Sequence, residues 1–219
     1  MIEIQEDTKR NLQARLQQLP RGAFRGLDRN EVGGAAPELQ DDVYEVHCTL
    51  RNTGEKLVFD FSGTSKQSGG FANCGIGGLR SACLMSLMES AALGLPWNAG
   101  ISSCVEIWTQ PGTVNNPTWP AAVSDGITEG AVTTALAASQ AVSNWLLASG
   151  EMAGKAAANG GNFLGNTLGG LDEKGNIWGT LLLDSLVQSY GPTMHRDAID
   201  MAGAPGIPYT QIVNVEQNE

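Results

Sequence analysis

One long stretch of this chain has almost no polar face and a second is rich in alanine, and together they limit the folds open to it. Over residues 76–93, Leu79, Cys83, Leu84, Leu87, Met88, Ala91 and Ala92 recur at helical spacing with few charges between them. A helix apolar on nearly every side has to be covered on every side. Over residues 126–149, an alanine-rich run with Val132, Leu136, Ala137, Val142, Trp145 and Leu146 predicts another helix, whose small side chains permit close packing. Strand patterns are mixed with these helices along the chain, so the layers are of both kinds.

Residues 44–51 and 56–61 alternate apolar and polar positions around Asn52-Thr53-Gly54-Glu55, which predicts two strands joined as a hairpin. Residues 103–109 alternate as a further strand. Residues 156–170 and 177–183 read as strands flanking the turn Asp172-Glu173-Lys174-Gly175. Ahead of these, Leu12, Leu16 and Leu19 mark an amphipathic helix over residues 5–19 with a narrow apolar stripe, stopped by Pro20. Residues 20–41 hold Gly22, Gly26, Gly33-Gly34 and Pro37 and read as an extended connector. Gly94-Leu95-Pro96 ends the helix of residues 76–93, and Asn98-Ala99-Gly100 reads as a turn. The fold class expected is α+β (mixed α/β), a twisted mixed sheet with long buried helices and Gly-rich loops. The division expected is residues 1–41 as N-terminal helix and connector, and residues 42–219 as the main domain.

Charge narrows the function. The net charge of −10 leaves no cationic footprint for a nucleic-acid backbone. No apolar run reaches membrane-spanning length. Cys48, Cys74, Cys83 and Cys104 form no Cys-x-x-Cys pair, and only two histidines accompany them, so a zinc site is not expected. The Met1 end shows no secretory pattern, and reduced thiols in a cytoplasmic protein are the expectation.

The local constellations each have a plainer explanation. Val58-Phe59-Asp60-Phe61-Ser62-Gly63-Thr64-Ser65-Lys66-Gln67 runs from a strand end into a hydroxyl-rich turn. It delivers Asp60, Ser62, Thr64 and Ser65 either to a site or merely to their own backbone. His47, inside the first strand, reads as a packed or surface residue. Cys74 sits in the glycine loop at a helix mouth, where a thiol pKa can fall, but a packing role is favoured. Asn73-Cys74-Gly75-Ile76-Gly77-Gly78 opens a helix yet lacks the spacing of a phosphate-binding loop, so tight helix entry explains it better. The hydroxyls of Thr128, Thr133 and Thr134 are expected to bond back to their helix. Only His195 with Asp197 and Asp200 could begin a metal site, and ordinary surface charges are the favoured reading.

Taken in order, Phe59-Asp60-Phe61-Ser62-Gly63-Thr64-Ser65, Gly70-Phe71-Ala72-Asn73, Leu95-Pro96-Trp97-Asn98-Ala99-Gly100, Pro111-Gly112-Thr113-Val114-Asn115-Asn116-Pro117, Pro120-Ala121-Ala122-Val123 and Asn214-Val215-Glu216 resemble the hydantoinase B family along nearly the whole chain. That family takes in B-type subunits of ATP-dependent N-methylhydantoinases, the matching half of 5-oxoprolinases, and large subunits of acetone and acetophenone carboxylases. The resemblance implies an A-type partner that binds ATP with Mg and phosphorylates a carbonyl or lactam oxygen. The B-type subunit then hydrolyses or carboxylates the activated species. It implies a hetero-oligomer, and a divalent metal held by a His/Asp cluster in an N-terminal half that this chain does not match, since no histidine precedes His47. Lys66 stands where the family often has proline. The Thr/Ala run after Gly126, and Asp184 through Glu216, lean toward the carboxylase branch. On this resemblance the chain is expected to be inactive alone and to hold no metal. It would supply one wall of a shared site through Asp60, Ser62, Thr64, Asn73 and Asn98, with His195 and Asp197 facing it and no general base named. The alternative is a subunit or fragment that keeps the fold and not the chemistry.

Overall fold

The computed structural model describes residues 2–31, 42–88, 90–124, 126–150, 159–190 and 197. Helix α1 (Ile2–Gln18) buries Thr8, Leu12 and Leu16, the narrow stripe expected of it. Pro20 cannot continue the helix, and its last carbonyls need other partners. Asn52, at the end of the neighbouring strand, supplies them: its Nδ2 donates to Leu16 O (2.8 Å), Leu19 O (3.2 Å) and Pro20 O (3.2 Å). Its Oδ1 accepts from Gly54 N (2.9 Å), so one buried side chain ties a helix end to a hairpin turn.

Four strands make a sheet in the order β1-β2-β3-β4, namely β1 (Gly22–Asn30), β2 (Tyr44–Asn52), β3 (Leu57–Asp60) and β4 (Val105–Trp108). The first two pairings are antiparallel, and β3 pairs β4 in parallel, so the sheet is mixed and the fold α+β. The hairpin across Asn52-Thr53-Gly54-Glu55 is where the alternation placed it. The stretch expected as a connector is not one throughout: residues 22–30 form β1, paired with β2 from Gly22↔Asn52 to Asn30↔Tyr44. Gly26 serves packing and does not break the strand. A Cβ on Gly26 would run into the backbone oxygen of Ala137 and lie 2.7 Å from Ala141 N, both on the long helix α4 (Ala131–Leu147).

Between β3 and β4 come α2 (Ile76–Met88) and the short α3 (Ala99–Ser102). Asn98-Ala99-Gly100, expected as a turn, is the start of α3, with Asn98 as its N-cap. A π-helical turn, Gly126–Gly130, leads into α4, and Thr133 and Thr134 bond back to Glu129 O (2.9 Å) and Gly130 O (2.7 Å). Strands β5 (Asn159–Leu171) and β6 (Ile177–Tyr190) form a separate antiparallel pair around the expected turn.

Cross-strand partners share a face of a pleated sheet. Val46, Cys48 and Leu50 of β2, with Leu57 and Phe59 of β3, therefore point to one side. They form the core with Leu12, Leu16, Leu79, Cys83, Leu87, Ala137, Ala138, Ala141 and Trp145. The alternate residues of β1 and β2, among them Arg25, Arg29, Glu45, His47, Thr49 and Arg51, share the opposite, polar face. β1 is an edge strand whose outward groups would invite pairing. Helix α4 caps them: Gln140 Oε1 accepts from Leu27 N (2.7 Å), and Asn144 Nδ2 donates to Arg25 O (2.8 Å).

Asp28 is half-buried beside this packing, and desolvation pushes its carboxyl up to about 6 against the pull of the Arg29 amide. A carboxyl whose folded pKa is raised binds protons in the folded state before the unfolded one does. Stability therefore falls as pH rises from about 4 to about 6. Asp28→Asn is expected to stabilise the protein by about 1 kcal/mol at pH 7.5, discounted for partial exposure, with the gain vanishing below about pH 4. Urea midpoints of both proteins across that range measure it, and a pH-independent difference contradicts it.

Candidate functional site

The strand end at Asp60 turns on its own side chain. Asp60 Oδ1 accepts from Ser62 N (3.0 Å), and Gly63 takes φ +92°, a left-handed conformation that favours glycine. The chain then runs back beside β2, but side-chain hydroxyls replace part of the backbone ladder. Thr64 Oγ1 accepts from His47 N (3.2 Å) and donates to His47 O (3.3 Å). Ser65 Oγ accepts from Glu45 N (2.9 Å) while Ser65 N donates to Glu45 O (2.9 Å). Thr64 and Ser65 thus hold the turn against β2. Burial raises the Asp60 carboxyl, but Ser62 and the Arg51 guanidinium, 3.3 Å away, outweigh it and hold the group below the ordinary carboxylate value.

The other expected wall residues do not converge here. Asn73 is fully buried: its Oδ1 accepts from Ser68 N (2.7 Å), and its Nδ2 faces Ser68 O, Gly70 O and Ala122 O at 2.9–3.1 Å. Every polar atom of its side chain is spent on tying two loops together. Asn73→Ala is expected to cost about 2 kcal/mol by orphaning buried backbone groups. An unchanged unfolding midpoint would show that the side chain is not structural. Asn98 caps α3 through Gly100 N (2.8 Å) and donates to Thr8 Oγ1 (2.9 Å), so it also serves the scaffold. His195 and Asp200 lie outside the described residues. Asp197 is exposed and makes no described contact.

All four cysteines are free and buried. Desolvation raises each thiol, Cys74 to about 11, so the helix mouth does not activate it and packing is its role. Among the described residues no three His, Cys, Asp or Glu side chains gather closely enough to hold a metal ion.

What the geometry does assemble is a cleft of about 400 Å³ on the polar face, lined by Arg25 and Leu27 of β1, His47 and Thr49 of β2, Ser62 of the turn, and Gln140 of α4. Ser62 is the one expected site residue that lines it. His47 is half-exposed, its Nε2 3.2 Å from Glu45 Oε2, and Glu45 is also paired with Arg29 at 2.8 Å. The available signal was the run Glu45, His47, Thr49, Arg51, polar at every second residue of a strand. Arg25 and Gln140 join it only through tertiary packing.

The sequence model of the hydantoinase B/oxoprolinase family matches residues 1–219. Two solved structures share the fold. One is a nucleotide-free acetone carboxylase from work on ATP-dependent acetone carboxylation, with a TM-score of 0.80 and 18% identity over 95% of this chain and 29% of that one. The other is the ATP-dependent caprolactamase from Pseudomonas jessenii, with a TM-score of 0.71 and 21% identity over 92% of this chain and 34% of that one. The chain spans about a third of the length of either. A comparison with curated proteins finds no match.

Proposed function

This chain belongs to the hydantoinase B/oxoprolinase family, and from that premise we propose that it is a component of an ATP-dependent carboxylase or cyclic-amide hydrolase. It acts as part of a B-type subunit beside an ATP-binding A-type partner. The observation that carries this reading is the family match along the whole chain, to which the two ATP-dependent neighbours add the same fold. An amide or ketone oxygen is a poor leaving group and a poor nucleophile precursor, and its phosphorylation on the partner makes the substrate far more reactive. This chain's contribution is positional. Its polar sheet face presents the cleft donors at fixed strand register, and such preorganisation needs no ionisable group. The described residues do not form a donor set that fits a divalent metal, so no step is assigned to a metal on this chain.

A second reading, a subunit that keeps the fold without the chemistry, is favoured by one observation. Thr64, Asn73 and Asn98, expected in the site wall, spend their polar atoms on the scaffold. Co-expression with an A-type subunit and with the remainder of a B-type subunit separates the two. The first reading expects a stable complex that releases phosphate from ATP only with a lactam, a hydantoin, or a ketone plus bicarbonate. An assembled complex without such turnover leaves the second.

A further inference from the structure

We infer that the cleft between β1, β2 and the Asp60–Thr64 turn binds the oxyanion of a small acidic ligand, a carboxylate, bicarbonate or phosphate group. The inference rests on reading this cleft as the functional face of the chain. In a protein of net charge −10, the cleft lining contains a guanidinium, two hydroxyls, an imidazole and a carboxamide, and no carboxylate. The two carboxylates that β2 and β3 carry on this face are already engaged. Glu45 is paired with Arg29 and His47, and Asp60 with Arg51 and the Ser62 amide. Arg25 is exposed, and its guanidinium has no ion-pair or hydrogen-bond partner among the described residues. Gln140 has its oxygen committed to Leu27 N, which fixes the carboxamide and leaves its nitrogen as a donor. Thr49 adds a hydroxyl, whereas that of Ser62 is bonded to the Asp60 carboxylate.

Donors therefore exceed acceptors across the cleft, and its lining sits on strands and a helix held by backbone bonds. The planar fork of an arginine matches two oxygens of one oxyanion. A volume of about 400 Å³ suits a small molecule and is far too small for a folded partner. Nucleic acid fits poorly, since the phosphate contacts it needs would have to come from many cations.

The test is a titration of the full chain with inorganic phosphate, and separately with bicarbonate and acetate, followed through amide chemical shifts. Saturable shifts confined to Arg25, His47, Thr49, Ser62 and Gln140 are expected. Arg25→Gln should weaken binding about tenfold or more, while Arg10→Gln on α1, remote from the cleft, should leave it unchanged. His47→Gln, expected to weaken binding less than Arg25→Gln does, keeps the test open if the arginine variant folds poorly. Saturation by phosphate alone identifies a phosphorylated ligand, and saturation by bicarbonate or acetate identifies a carboxylate-type one. Absence of saturation with all three anions overturns the inference, as does equal binding by wild type and Arg25→Gln. Because the readout is binding, anion saturation in a complex that shows no ATP-dependent turnover would sink the proposed function and leave the oxyanion site standing.

Discussion

Gly26→Val is expected to destabilise the protein by about 3 kcal/mol or more, seen as a lower urea midpoint. The reason lies in what a side chain there would meet. A Cβ on Gly26 would overlap Ala137 O and come within 2.7 Å of Ala141 N. These are backbone atoms of α4, and no rotamer change moves them aside. The fully buried row Ala137, Ala138 and Ala141 lets the helix come this close in the first place. Relief requires α4 to lift from β1, which strains the Gln140 and Asn144 bonds that cap the edge strand. Gly26→Ala should show much of the loss, because the clash begins at Cβ. Gly77→Ala is the control: nothing lies within 4 Å of its Cβ, and in helix α2 the change should be neutral or slightly stabilising. Equal midpoints for wild type and Gly26→Val would mean that the helix does not sit where the geometry puts it.

The same contact explains what could and could not be read from the sequence. Periodicity located α1, the β2–β3 hairpin, α2 and α4, because each carries a repeating apolar pattern that only one secondary structure satisfies. β1 escaped because Gly22 and Gly26 look like breakers. The need for glycine at 26 is set by a helix more than a hundred residues later, and no local window contains it. Asn98 is another such case: an asparagine before Ala-Gly reads equally as a turn or as an N-cap, and the neighbouring Thr8 on α1 completes the second role. In the site, the turn at Asp60 was found where the alternation ended. Its hydroxyls, however, proved to be ladder substitutes, the outcome expected of Ser and Thr near free backbone groups. Asn73 looked like a ligand-facing amide and is instead the bond between the glycine-rich loop at Ser68–Gly70 and the loop at Ala122. The cleft itself spans residues 25, 47, 62 and 140. Only the polar alternation of β2 hinted at it, because charge complementarity between strands and a helix belongs to the fold and not to any one segment.

The second large effect concerns the far end of the same helix. Trp145 is fully buried in the core, and its indole Nε1 donates to Pro20 O at 2.9 Å. Trp145→Ala removes a large ring and opens a cavity, and about 3–5 kcal/mol is the expected loss. Trp145→Phe separates volume from hydrogen bond. Phenylalanine keeps most of the apolar contact and loses the donor, but Pro20 O still accepts from Asn52 Nδ2 at 3.2 Å and is not orphaned. The hydrogen-bond share should therefore stay at the low end, about 1 kcal/mol, and the phenylalanine variant should keep most of the stability. Should the two variants prove equally damaging, the indole N–H and not the packing would be the main contribution. The cleft provides a second readout. Because α4 carries Gln140 and holds the β1 edge that carries Arg25, loosening its anchor at Trp145 should weaken anion binding in Trp145→Ala at temperatures where the chain is still folded. Retained anion affinity in that folded variant would show that β1 keeps its place without the helix, and the positioning role assigned to α4 would fall.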